Sequence, residues 1–173
     1  SRNFSEQTRS EYAEVLSSRV MPLVRYAQFV ANIIQPPKGT SRIEAFEAAF
    51  TQLVSNVNEA SNYPYRDGKA HIARTGFHTL FYLADALNIL NPELAKRIVE
   101  WVADAPGISQ PELSGVVARL SRIPQCHDAA LLLAAQVDRR IQSDTDVSSR
   151  ITAYGSLARA VWRVGLEESN VYF

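Results

Sequence analysis

Apolar side chains recur along this chain at steps of three and four almost without interruption, and a sustained two-residue alternation is absent. A period near 3.6 marks amphipathic helices, whereas strands alternate at every second residue. The spacing therefore predicts an all-α fold of about seven helices. In a first segment, about 5–34, Leu16, Val20, Leu23, Ala27, Val30 and Ile34 share a face. Pro22 lies inside it without an amide donor, which predicts a kink or a fresh start with proline in the first turn. Pro36-Pro37-Lys38-Gly39 ends that segment. Ser41 and Glu44 then stand at capping-box spacing ahead of Ile43, Phe46, Phe50, Leu53, Val54 and Val57, which fall on one face.

The irregular stretch 62–68 separates a helical hairpin over 1–61 from the helices of 69–173. In this second part the pattern predicts helices near 69–90, 92–104, 111–123, 128–143 and 146–165. Asn91 is placed to cap a helix that opens Pro92-Glu93, with proline at the first position and an acid in the positive first turn. Gln110-Pro111-Glu112 repeats that start. Ala105-Pro106-Gly107 and Ser143-Asp144-Thr145-Asp146 are the breaks between helices.

Three stretches compare well with one another: Leu83–Leu90, Val117–Ile123 and Leu157–Gly165. Aligning Leu87, Leu120 and Val161 gives offsets of 33 and 41 residues, a length that suits a two-helix unit stacked as an α-solenoid. The run Leu157-Ala158-Arg159-Ala160-Val161-Trp162-Arg163-Val164-Gly165-Leu166, echoed at 117–123, resembles the octotricopeptide and heptatricopeptide repeats of organellar RNA-associated proteins, including the FAST-type proteins. That resemblance covers roughly 72–173. It implies stacked antiparallel helix pairs, a mitochondrial or plastid location, and a role in RNA processing or ribosome assembly. The third copy is cut short after its first helix, so the end around Val171-Tyr172-Phe173 is expected to need a neighbour.

Charge changes this picture in one respect. Eighteen Lys and Arg balance eighteen Asp and Glu, so no global field draws the chain to nucleic acid or to an acidic membrane. Among RNA-associated repeats that balance is a departure, and it gives protein contacts at least equal weight. Arg outnumbers Lys by fifteen to three. No apolar stretch reaches the roughly 20 residues of a membrane span. The chain opens without the order of a signal peptide, which gives an intracellular expectation. A single cysteine, Cys126, excludes an internal disulfide and a cysteine-based zinc cage.

Candidate chemistry is sparse. His71 and His78 stand two turns apart with no third ligand at metal-binding spacing, so neither metal nor cofactor is expected. Cys126 precedes a helix start but reads as structural. Arg66-Asp67-Gly68-Lys69-Ala70-His71 resembles the active motif of the HEPN ribonucleases, which are helical domains that act as pairs. The resemblance implies that His71 assists proton transfer at a ribose hydroxyl while Arg66 holds the phosphate, with no metal. Arg119, Arg122, Arg159 and Arg163 recur at helical spacings and form one phosphate-contacting stripe if their helices are neighbours. Tyr63 and Tyr65, in the loop, are candidate partner anchors. Trp101 and Trp162 read as core. Phe77, Phe81 and Tyr82 admit a bundle around an apolar small molecule. The favoured function is a non-enzymatic helical-repeat adaptor bound to other subunits and open to RNA contact. The ribonuclease and the apolar-ligand bundle are the alternatives.

Overall fold

The computed structural model describes residues 21–59 and 68–162. Every regular element among them is helical, and there are seven α-helices. They are α1 (Met21–Ile34), α2 (Arg42–Glu59), α3 (Gly68–Ala86), α4 (Pro92–Val102), α5 (Gln110–Leu120), α6 (His127–Gln142) and α7 (Val147–Val161). A 3-10 turn, Pro124–Cys126, precedes α6. The fold is all-α, as the periodicity predicts. The chain divides into two compact units at Gln52/Leu53, inside α2.

In the first unit, α1 ends ahead of Pro36-Pro37, and the chain turns through Gly39 at φ +89°. The start of α2 is the expected capping box. The Ser41 amide donates to Glu44 Oε2 at 2.7 Å, and the Glu44 amide donates to Ser41 Oγ at 3.2 Å. Each bond satisfies a donor that a helix start leaves open. Ile33, Phe46 and Phe50 are buried. The residues before Met21, where the Pro22 kink or restart would be judged, lie outside the described residues.

The second unit is built from α3 onwards, with the end of α2. Gly76 sits in the interior of α3, where glycine weakens a helix. A Cβ there would fall 2.3 Å from Leu53 Cδ1, so the missing side chain lets α2 and α3 approach. The expected helix to Leu90 ends four residues earlier, at Ala86. Asn88 adopts φ +53°, the Asn88 amide donates to Asp85 O and the Ile89 amide to Ala84 O. This is a Schellman ending with asparagine in the left-handed position that glycine usually takes. Ile89 and Leu90 continue the apolar pattern and are buried, but just beyond the helix.

Asn91 Oδ1 accepts from the Leu94 amide at 2.9 Å, the expected cap of α4. Asn91→Ala is expected to cost about 1 kcal/mol by chemical denaturation, since it leaves that amide unpaired while Pro92 still supplies the first turn. Phe77 in α3 and Trp101 in α4 lie equally far from the connection and bring their rings to 6.2 Å, as in an antiparallel hairpin. The helix α5 is capped by Ser109 and starts at Gln110, one residue before the expected start, because Ser109 and Glu112 form a capping box.

Beyond consecutive neighbours, α4 packs on α6 and α5 packs on α7. α3 is tied to α5 by His78 to Glu112 and by Asp85 to Arg119. The two pairs advance together along both helices, so α3 and α5 run in the same direction. The core of this unit holds Phe77, Leu80, Phe81, Leu94, Ile98, Leu113, Leu120, Leu133, Ile141 and Leu157, all nearly inaccessible. Trp162 departs from the core expectation: it is 54% exposed at the C-cap of α7, just past buried Val161.

Candidate functional site

The most developed polar constellation lies between α3 and α5. Helical steps of four and three put Arg74, His78, Tyr82 and Asp85 in one row on α3. Facing them on α5 are Glu112, in its first turn, and Arg119, in its last. Arg74 Nε donates to Glu112 Oε1 at 2.6 Å, and His78 Nε2 meets the same oxygen at 2.9 Å. The other oxygen, Oε2, accepts from the Ser109 amide at 2.8 Å and from its hydroxyl at 2.7 Å. Glu112 is therefore at once the α5 cap and the anchor for two side chains of α3.

Burial of Glu112 pushes its carboxyl up, but the bonds from Ser109, then from His78 and Arg74, outweigh that and carry the group down to about 2. It is ionised at neutral pH and can only accept. The proton of the shared bond thus belongs to His78 Nε2, and Nδ1 is left as the open position of that imidazole. Arg74 is 59% exposed and commits only Nε, so its two terminal nitrogens face water.

One turn further along, the rings of His78 and Tyr82 are nearly parallel, 13° apart, with centroids at 5.8 Å. The Arg119 guanidinium lies 4.6 Å from the Tyr82 centroid and donates from Nη1 to Asp85. Tyr82 itself is 45% exposed. The result is a ladder in which carboxylates hold the cations and the cations hold an aromatic ring.

Arg66, Tyr63, Tyr65, Arg163 and Val171-Tyr172-Phe173 lie outside the described residues. His71 is exposed in the first turns of α3. The helices α5 and α7 are neighbours, and the three described arginines of the expected stripe have separate surroundings. Arg119 is committed to Asp85 and Tyr82 on α3, Arg122 is exposed beyond α5, and Arg159 bonds the Gly155 carbonyl of its own helix. Phe77 and Phe81 stack on each other at 5.5 Å, so both rings are spent on packing, while Tyr82 faces outward. Cys126 is buried, and burial pushes its thiol up, as suits a structural cysteine. His127 Nε2 lies 3.0 Å from the Ser121 carbonyl at the end of α5.

Three residues tie the helices together in ways the sequence reading did not assign: Arg74, Glu112 and Arg140. Arg140 donates to the carbonyls of Ala103 and Ile108 and so clamps the α4–α5 connection from α6. Among the described residues no group of three or more metal-ligating side chains converges, and no helix is long and apolar enough to cross a membrane. No family model, curated protein or solved structure matches the chain.

Proposed function

We propose that this chain is a helical-repeat scaffold, a non-enzymatic adaptor held in a larger assembly. The observation that carries the reading is the alternation of neighbours in the second unit. Helix α3 is joined to α5, α5 packs on α7, and α4 packs on α6. This is the order expected when two-helix units stack, each burying its face against the next. Two of the three hydrogen-bonded pairs described between α3 and α5, His78–Glu112 and Asp85–Arg119, join residues 34 apart, close to the 33-residue offset between Leu87 and Leu120.

An array of this kind offers its end faces to partners. The stretch 147–156 of α7 has no buried side chain, and Val147 and Ile151 are 64% and 68% exposed. By its resemblance to the octotricopeptide and heptatricopeptide repeats, the assembly would be an organellar ribonucleoprotein.

Affinity capture from native extract, with the recovered material divided for mass spectrometry and RNA sequencing, tests the reading. Recovery of a defined set of assembly subunits is expected. The double variant Val147→Ser, Ile151→Ser should recover them several-fold less while melting at the same temperature. Recovery of the chain alone, or equal recovery by wild type and variant, would overturn it.

A further inference from the structure

We propose that the α3–α5 face binds a phosphorylated nucleoside, free or within a single RNA strand, with Arg74 on the phosphate and the Tyr82 ring against the base. The argument stands apart from the scaffold reading, because it rests on groups that no packing requirement leaves outward. Arg74 and His78 both reach Glu112 Oε1, at 2.6 and 2.9 Å, so the guanidinium and the imidazole sit side by side. Both are held from behind. The terminal nitrogens of Arg74 form a planar fork matched to two phosphate oxygens.

The ring of Tyr82 follows at once, 5.8 Å from that of His78. It is half-exposed, and Arg119, tethered by Asp85, fixes its orientation. Anion site and aromatic surface are therefore contiguous, which is the arrangement a nucleotide presents: phosphate at one end and a flat base at the other. The carboxylates of Glu112 and Asp85 limit the affinity, yet each already accepts from cations on this face. Both rows stand on helices, so the site is formed before the ligand arrives.

The experiment is calorimetric titration of the chain with adenosine 5′-monophosphate, with adenosine, and with a short 5′-phosphorylated oligoadenylate. Saturable binding of the monophosphate or of the oligonucleotide is expected, and adenosine should bind at least about tenfold more weakly. The monophosphate alone would identify a free nucleotide as the ligand, and binding of the oligonucleotide only would identify RNA. Arg74→Ala and Tyr82→Ala should each lose about tenfold, while Tyr82→Phe retains the affinity. Arg74 is mostly exposed, so its variant should keep the wild-type melting temperature. Arg159→Ala, which alters an exposed arginine of α7, should bind as wild type does. Absence of saturable binding to both phosphorylated probes would overturn the proposal. So would unchanged affinity in Arg74→Ala and Tyr82→Ala, or an equal loss in Arg159→Ala.

Discussion

Gly107→Ala is expected to destabilise the chain by about 3 kcal/mol, a fall of roughly 6–12 °C in melting temperature for a domain of this size. Two costs combine. Gly107 has φ +75°, a region that an L side chain enters only with strain. A Cβ at this position would also meet Ala70 of α3 at 2.6 Å from its Cβ and 2.9 Å from both its Cα and its carbonyl oxygen. The last two are backbone atoms, which cannot swing aside. Nor is the connection free to retreat, because Arg140 holds the carbonyls of Ala103 and Ile108 on its other side. Gly39→Ala separates the two costs. Gly39 has φ +89° and nothing within 4 Å of a built Cβ, so its substitution carries backbone strain alone, about 1 kcal/mol. Denaturant melts of both variants decide the matter, and equal losses would show that the contact with Ala70 contributes nothing.

Glu112→Gln is expected to cost about 2 kcal/mol at neutral pH and to flatten the acid limb of the stability curve. The wild-type carboxyl sits at about 2 when folded, against an ordinary 4.5. Between those values the unfolded chain binds the proton and the folded chain does not, so stability rises with pH across the window. The contribution is complete above about pH 4.5 and is lost as pH falls through about 2. The shift corresponds to about 3 kcal/mol at most, and the exposure of Arg74 to solvent brings it nearer 2. Chemical denaturation at a series of pH values should show wild type and variant converging in acid. Parallel curves would mean that Glu112 holds nothing together.

Features set by neighbouring residues were legible in the sequence. The Ser41–Glu44 box and the Asn91 cap are written in spacings of three, and the structure forms both. The same spacing joins Ser109 to Glu112, but the adjacent Gln110-Pro111-Glu112 drew the predicted start away from Ser109. Leu90 prolonged the apolar pattern past the true helix end, which asparagine at position 88 could have signalled by its tolerance for positive φ. What the sequence could not supply was partnership. An arginine on an amphipathic helix has several carboxylates within reach, and only the packing of α3 on α5 selects Asp85 for Arg119 and Glu112 for Arg74. Arg119, expected in a stripe of four arginines, is committed to Asp85 and Tyr82 for that reason. Trp162 likewise has core chemistry at a helical spacing, but its helix reaches its cap there and leaves the ring half in water.

The common direction of α3 and α5 has a consequence for how such a chain can change length. Asp85 follows His78 by seven residues, and Arg119 follows Glu112 by seven, so the two rungs match only while both intervals stay equal. A single residue inserted within either interval would swing the downstream rung about 100° around its axis and part Arg119 from Asp85. Residues gained or lost between the two helices leave both intervals untouched. The rungs thus set no length between α3 and α5; what sets it is the buried face of α4, Arg140 on the carbonyls of Ala103 and Ile108, and Gly107 against Ala70. Within those helices descendants of this sequence are confined to paired changes, or to steps of about two turns.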